Sequence, residues 1–335
     1  MKKESLHNAL SSNKMNSKYF HIFLLGIMLT GTANLHGNKL VIIENGYINA
    51  GFLPDVGGRM VYIAPIGAQN VLFSDSSLWN EPESERVQLS PDAPFKAYNG
   101  HITWLGPQSD WWKQQDLLPE KRDRGDLWPP DPYLLYSNFE IIEKTDTSIV
   151  LQGKESPVSG VKLTKKFTLN KNQIEIEVTA TNCRNSNVSW DLWSNARFDA
   201  FTEFKVPINE NSIMKIEAEE SKFREKVEFV TENGFFSFLP KLPENPTKQR
   251  RSKVYIHPNE GKIYAETGDA KLTIQFNMLP LDKIHPNQAL VEVYNSISAT
   301  GSENLLELEH HSAYKTLQPG ESMTLKEVWT LEAKP

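Results

Sequence analysis

The sequence predicts an all-β fold in which two large antiparallel sheets pack face to face. Apolar and polar residues alternate with a period of two along many short segments, which is typical of strands with one buried face. In Gln173–Asn182, Ile174 and Ile176 point to one side while Glu175 and Glu177 point to the other. Turn-forming Gly, Asn, Asp and Pro residues separate these segments. Together they provide enough strands for a large sandwich.

Similar segments recur along the chain and predict the strands of both sheets. In order, they are Lys39–Ile43, Tyr47–Leu53, Met60–Ala64, Phe139–Lys144, Ser148–Gln152, Val161–Leu169, Gln173–Asn182, Trp190–Phe198, Lys262–Glu266, Lys271–Asn277, Leu290–Tyr294, Leu305–His311 and Ser322–Leu331. No amphipathic helix longer than the region Ile213–Phe223 is predicted. The only long interruption is residues 74–137, and long irregular segments in compact domains are often functional.

Residues 1–36 are predicted to be an export signal. Basic residues precede the apolar run Tyr19–Leu29, and small residues follow it, which places the mature start near residues 34–38. The run is about half as long as a bilayer-spanning helix, so no stable membrane anchor is expected. No cysteine stands directly after it for lipid attachment. The sequence therefore predicts a periplasmic or secreted protein whose residues 37–335 form a single domain.

Composition excludes several classes of function. The formal net charge of −6 argues against a nucleic-acid partner. Cys183 is the only cysteine, so neither an internal disulfide nor a cysteine-based zinc site can form. The basic cluster Lys248–Lys253 follows several prolines and is interpreted as a solvated loop. The sequence contains no glycine-rich phosphate loop, and no cofactor is predicted.

The part of the interruption at residues 74–137 that runs from Tyr98 to Tyr133 contains four of the eight tryptophans of the chain. Flat aromatic faces beside hydrogen-bonding groups suit ligands with an apolar face and a polar rim, and the commonest of these is a sugar ring. The segment therefore predicts saccharide binding, and a well-packed loop with buried indoles is the alternative. The residues expected to contact the sugar are Asn99, Trp104, Trp111 and Trp112.

Two predicted strands carry polar side chains on a shared face. Alternation within Trp190–Phe198 groups Asp191, Trp193, Asn195 and Arg197. Alternation within Leu305–His311 groups Glu307, Glu309 and His311. Two carboxylates and an imidazole on one face can raise one another's proton affinity, as general acid–base catalysis requires. An outer strand with its charges in water is the alternative.

Four stretches of the chain resemble the galactose mutarotase superfamily, the aldose 1-epimerases and their relatives. The match is closest to a bacterial branch catalogued as a domain of unknown function. The stretches are Leu53–Met60, Asn99–Trp104, Thr181–Asn182 followed by Asp191–Phe198, and Leu306–Glu309 followed by Leu317–Glu321. They follow the order of the superfamily over nearly the whole mature chain.

The resemblance implies a supersandwich with a carbohydrate in its concave face. It also implies that Glu307 removes the proton from the anomeric hydroxyl and that His101 helps to bind the sugar. Where the epimerases carry the histidine that protonates the ring oxygen, this chain has Asn195. An amide has no proton to transfer near neutral pH, so simple mutarotation would need His101 or Asp191 as the acid.

Three functions are compatible with these residues. The first is an isomerase-like enzyme of mutarotase geometry, and the second is a non-catalytic saccharide-binding module. The third is a polysaccharide lyase, in which Arg59 and Arg197 neutralise a uronate while His101 or a tyrosine removes a proton. Arg59 has an alternative role, which is to tie the turn that precedes it to a neighbouring strand. No metal site is predicted, because alternation separates Glu307 and His311 by roughly 13 Å.

Overall fold

The computed structural model describes residues 40–218, 220–301 and 304–334, which form two large sheets. We number the strands in chain order. Sheet A contains β1 (Val41–Glu44), β2 (Ile48–Leu53), β3 (Arg59–Pro65), β4 (His101–Gly106), β9 (Val188–Phe198), β11 (Ile213–Ala218), β12 (Arg224–Glu225), β15 (Gln249–His257), β18 (Val291–Ser298), β19 (Leu305–His311) and β20 (Lys315–Leu317). Sheet B contains β5 (Glu140–Lys144), β6 (Ser148–Gln152), β7 (Val161–Asn170), β8 (Gln173–Asn182), β10 (Glu203–Pro207), β13 (Glu228–Glu232), β14 (Phe235–Leu239), β16 (Lys262–Glu266), β17 (Ala270–Phe276) and β21 (Ser322–Ala333). The predicted all-β class is confirmed.

The order of strands in sheet A is β1-β2-β3-β4-β9-β19-β18-β15-β11, and β20 and β12 pair with β9 and β15. In sheet B the order is β13-β14-β10-β16-β17-β21-β8-β7-β6-β5. Two short α-helices, α1 (Pro119–Arg124) and α2 (Pro132–Tyr136), lie within the irregular segment. Across the described ranges, every helix is too short or too polar to span a bilayer. The predicted export signal lies outside the described residues.

The core lies between the two sheets and is built from the inward positions of each strand. In β8, Ile174 and Ile176 are at most 1% exposed, as the period-two pattern predicts. Phe52 of sheet A and Phe167 of sheet B meet across the interface, with ring centroids 4.6 Å apart. Each such side chain contributes roughly 1.5–3 kcal/mol when it is fully buried.

Three segments differ from the prediction. The interruption at 74–137 contains a central strand, β4, whose pairing with β9 supplies the order that the local pattern lacks. The region Ile213–Phe223 begins with the strand β11 instead of a helix, because it pairs along β15. The cluster Lys248–Lys253, interpreted as a solvated loop, lies largely in β15. Arg250 is buried there and forms an ion pair with Glu225 at 3.2 Å.

A buried polar cluster connects the two sheets. Glu327 of β21 is 2% exposed and occupies an inward position between apolar neighbours. Its Oε1 accepts from Ser194 Oγ at 3.0 Å and lies 2.9 Å from His101 Nε2. Its Oε2 accepts from Trp329 Nε1 at 2.8 Å and lies 2.9 Å from His310 Nε2. Burial opposes the charge, but the two histidines outweigh it and hold the pKa of Glu327 well below its usual value.

We predict that Glu327→Gln destabilises the protein by roughly 3–5 kcal/mol, because the amide would present N–H groups to donors that need an acceptor. Urea denaturation at neutral pH measures the change. Glu332→Gln, on an exposed position of the same strand, is the matched control. Equal stability of the two variants would contradict a structural role for the cluster. Because the folded-state pKa of Glu327 is depressed, its contribution is present above the unfolded-state value near 4.5 and is lost only as the pH falls through the folded value.

Lys165 is the buried cation of sheet B. It is 3% exposed, and its Nζ donates to the carbonyl of Gly57 at 2.7 Å. Burial, with a smaller repulsion from Arg59, lowers the pKa of Lys165 from 10.5 to about 7. Between about pH 7 and 10.5, the unfolded chain therefore keeps a proton on Lys165 that the folded chain has released. Stability should rise with pH across this window.

We predict that Lys165→Met removes this pH dependence. The unfolding free energy of the variant minus that of the wild type should be most positive at pH 6 and should fall as the pH approaches 10. Denaturant titrations at several pH values give the difference, in which the titration of other groups cancels. The neighbouring exposed Lys166→Met is the control. A difference that does not depend on pH would show that Lys165 stays charged in the fold.

Candidate functional site

The central strands of sheet A bring the predicted polar faces together on one surface. Glu307 lies opposite Arg197, and Glu309 lies opposite Asn195. On its other side, Glu309 lies opposite Glu292 of β18. Directly opposite residues of an antiparallel pair share a face, so this surface runs across β4, β9, β19, β18 and β15. We call it the outer face, because the alternate side chains of these strands point toward sheet B.

Arg197 and Glu307 form a buried ion pair at one end of the outer face. Nη2 of Arg197 lies 2.7 Å from Oε1 of Glu307. Nη1 donates to Oδ1 of Asn99 at 2.8 Å, and the guanidinium lies 5.5 Å from the centre of the Trp104 ring. The arginine is therefore held in one orientation, and its charge is neutralised within the protein.

Glu309 lies at the centre of the outer face and has no exposed surface. Its Oε1 accepts from Asn195 Nδ2 at 2.6 Å, and its Oε2 lies 3.2 Å from Lys253 Nζ. Burial raises the pKa of Glu309 to about 8; Lys253 opposes this effect, and the charges of Glu307 and Glu292 add to it. Glu309 therefore carries a proton for much of the time near neutral pH.

Lys253 of β15 neutralises the neighbouring carboxylates. Its Nζ lies 2.6 Å from Oε2 of Glu292 and 4.7 Å from the centre of the Trp193 ring. Burial opposes its charge, but Glu292 and Glu309 outweigh this effect and raise the pKa of Lys253 above its usual range. Burial alone would raise the pKa of Glu292, but Lys253 outweighs burial and lowers the pKa to about 2. This lysine belongs to the segment that the sequence interpretation placed in solvent.

His311 lies between two carboxylates at the other end. Nδ1 is 3.0 Å from Oδ1 of Asp191, and Nε2 is 3.3 Å from Oε1 of Glu292. Burial would lower the pKa of His311, but Asp191 and Glu292 raise it to about 9. The imidazole is therefore charged at neutral pH. Gly106 of β4 lies opposite Asp191. A side chain at position 106 would collide with the Asp191 carboxylate, because its Cβ would come within 2.5 Å of that group. Among the described residues, no group of three or more His, Cys, Asp or Glu has the arrangement of a metal site.

Five aromatic rings stand against this polar surface. We call them the aromatic wall: Phe95, Trp104, Trp111, Trp128 and Trp193. Trp104 lies 5.1 Å from Trp193 and 5.6 Å from Trp111, both edge to face. Phe95 lies 4.7 Å from Trp128. Trp128 is 47% exposed, so the wall reaches the protein surface there.

We call the ion-paired side chains of the outer face the charge network: Asp191, Arg197, Lys253, Glu292, Glu307, Glu309 and His311.

Several buried polar atoms of the outer face lack a hydrogen-bond partner among the described residues. Those with neither a hydrogen bond nor an ion-pair contact are Nε1 of Trp104 and Trp193, Oδ1 of Asn195, Nε of Arg197 and Oε1 of Gln288. A buried polar atom without a partner costs about 1–3 kcal/mol. Most buried polar atoms in proteins have a partner, so this group of unpartnered atoms marks the surface as a candidate site.

His101, which the resemblance places at the sugar site, does not lie on the outer face. His101 lies opposite Ala196 in the pairing of β4 with β9, so it shares the inward face of these strands. Its Nε2 contacts Ser194 and Glu327 in the cluster between the sheets. The local pattern around His101 predicts no strand, so the sequence does not show which face of the sheet its side chain occupies.

Trp112 and Arg59 also lie away from the aromatic wall. Trp112 is 1% exposed and donates from Nε1 to the carbonyl of Pro129 at 3.0 Å, which matches the alternative of a packed loop. Arg59 donates to the carbonyls of Asn99 and Leu135 at 3.1 and 3.3 Å. Its role is therefore to tie chain segments together, as the alternative interpretation held.

Sequence reasoning missed five residues that the structure places at this surface: Phe95, Trp128, Lys253, Gln288 and Glu292. Glu292 stands in a predicted strand and alternates with Val291 and Val293, so its placement on a polar face was available from the pattern. In β15, Lys253 and Tyr255 alternate with Val254 in the same way, but the basic residues of the cluster Lys248–Lys253 obscure this pattern. Gln288 precedes a strand, and no local signal marks it.

The fold resembles solved structures over most of its length. The Slr1438 protein from Synechocystis sp. PCC 6803 matches with a TM-score of 0.55 and 12% identity, over 93% of this chain and 100% of that chain. A galactose mutarotase-like protein from Lactobacillus casei ATCC 334 matches with a TM-score of 0.50 and 12% identity, over 88% of this chain and 100% of that chain. The expected galactose mutarotase-like supersandwich is confirmed.

Comparison with curated proteins finds no significant match. A family model described as "Domain of unknown function (DUF4380)" matches residues 39–332, which is most of the sequence. The protein therefore belongs to the DUF4380 family.

Proposed function

We propose that this protein binds a saccharide on the outer face of sheet A, between the aromatic wall and the charge network. The observation that carries this proposal is the set of unpartnered buried polar atoms beside the indoles of Trp104 and Trp193. A sugar ring offers an apolar face to an aromatic ring and hydroxyl groups to such atoms. Export to the periplasm or beyond forms part of the proposal and is supported by the sequence of the first 36 residues.

A second proposal is epimerase-like catalysis on this face, favoured by the contrast between two carboxyl groups of β19. Glu307 stands where the resemblance places the proton-abstracting base, and Arg197 holds its carboxylate in place at 2.7 Å. The raised pKa of Glu309 leaves it with a proton to donate, and it lies 2.6 Å from Asn195. Glu309 can therefore supply the acid that the asparagine cannot, in place of His101 and Asp191. General acid–base catalysis requires an acid and a base placed within hydrogen-bond reach of the same substrate.

Lyase chemistry on uronates has less support. The charge of Arg197 is neutralised by Glu307, and Arg59 is committed to backbone carbonyls. His101, the expected base, faces the other side of the sheet. A uronate would have to displace an internal carboxylate, which is costly at a buried ion pair.

We predict that Trp128→Ala weakens saccharide binding by about 1–3 kcal/mol, because it removes the exposed end of the aromatic wall. Calorimetry with sugars selected on a glycan array measures the change. Trp128 is half-exposed, so the fold should persist. Trp79→Ala, which removes an indole that contacts Tyr62 away from the site, should leave the affinity unchanged. Equal losses in both variants would contradict a specific contact.

We predict that Glu307→Gln and Glu309→Gln each reduce turnover roughly 10²–10⁴-fold, with little change in sugar affinity, if the protein is an epimerase. Polarimetry with freshly dissolved α-anomers of common aldoses measures the rate. Glu44→Gln, at an exposed position of β1 in the same sheet, is the control. Full activity of the Glu307 variant would end its assignment as the base. Sugar binding without turnover by the wild type would favour the binding module.

The pKa of Glu309 also predicts the pH profile. The acid form is the active one, and its pKa is raised to about 8. Activity should therefore fall as the pH rises above this value. Because Glu309→Gln has no titrating group at this position, its residual rate should lack the alkaline decline. A decline that persists unchanged in the variant would assign the titration to another group.

A further inference from the structure

A cleft of about 420 Å³ lies beside the charge network, between β11, the end of β15 and the loop before β18. Pockets for small molecules span roughly 300–1,000 Å³, so the cleft can hold a ligand unit. Its lining includes Glu217, Tyr255, Asn287 and Gln288. None of these residues was assigned a role by the sequence.

The cleft and the charge network share two walls. The Tyr255 ring lines the cleft, and its centre lies 5.4 Å from Lys253 Nζ. Gln288 also lines the cleft, and its Nε2 lies 3.1 Å from Nδ1 of His311. Its Oε1 is buried without a partner among the described residues. A ligand on the outer face that extends past these two side chains would enter the cleft.

The chemistry of the cleft suits a second sugar unit. Tyr255 provides an aromatic ring, and its hydroxyl donates to Oε2 of Glu217 at 3.2 Å. Lys215 is paired with the same carboxylate at 2.5 Å, so the two charges of the cleft offset each other. The remaining polar groups are the imidazole of His257 and the amides of Asn287 and Gln288. The amides both donate and accept hydrogen bonds, as hydroxyl recognition requires.

We infer that this cleft is a second saccharide subsite and that the ligand is an oligosaccharide of at least two units. The inference rests on the proposed saccharide site of the outer face. One unit would occupy the space beside the aromatic wall, and the next would pass Gln288 and lie against Tyr255. Neutral recognition in the cleft implies that uncharged units are accepted there.

Calorimetry with matched pairs tests the inference: glucose with cellobiose and maltose, galactose with galactobiose, and xylose with xylobiose. The wild type should bind one disaccharide at least about tenfold more tightly than its monosaccharide, since each tenfold step needs only about one good contact. Equal affinities within the pair that binds would overturn the subsite. Absence of binding by every probe would instead remove the proposed function on which it rests.

Asn287→Trp locates the additional contact, because a large side chain there would fill the cleft. It should lower the disaccharide affinity to near the monosaccharide value. Asp282→Trp, an equally exposed change in the same loop, should keep the disaccharide preference. A preference that survives in Asn287→Trp would place the second unit elsewhere and overturn the inference. If Asn287→Trp unfolds, His257→Ala, which removes a ring from the lining, should reduce the preference several-fold.

Discussion

The requirement that buried charges be neutralised governs the outer face of sheet A. Moving an ion out of water costs several kcal/mol, which only a well-placed opposite charge offsets. Arg197 is balanced by Glu307, Lys253 by Glu292, and His311 by Asp191. These pairs form between neighbouring strands, so the strand order of the sheet and the charge network depend on each other. A strand shifted by one residue would turn its charges toward the core.

The same strands carry a second polar system on their other side. Ser194 and His310 face Glu327 between the sheets, while the residues that follow them, Asn195 and His311, face outward. The inner cluster fixes β9 and β19 against sheet B at the level where the outer face carries its site. A rigid arrangement of this kind suits a binding surface, because side chains held in place lose little entropy when a ligand binds.

Much of the fold followed from alternation, since period-two segments such as β8 and β19 need only local sequence to identify their faces. Alternation also grouped Asn195 with Arg197 and Glu307 with Glu309, and the register of β9 with β19 then joined the two groups. Prediction failed where long-range pairing overrides local pattern. His101 and Lys253 lie in strands that their local sequence does not predict. Aromatic residues near His101 and basic residues near Lys253 obscure the alternation of apolar and polar residues. Trp104 and Trp112 have similar sequence surroundings. The sequence alone therefore does not show that Trp104 belongs to the aromatic wall whereas Trp112 is packed in the interior.

The most direct test of the central claim is a crystal structure of the protein with the saccharide that binds it best. We expect a sugar ring against the aromatic wall, with hydroxyl groups hydrogen-bonded to Nε1 of Trp104 or Trp193 and to Oδ1 of Asn195. Electron density for the sugar at any other surface, with the outer face of sheet A unchanged, would contradict it.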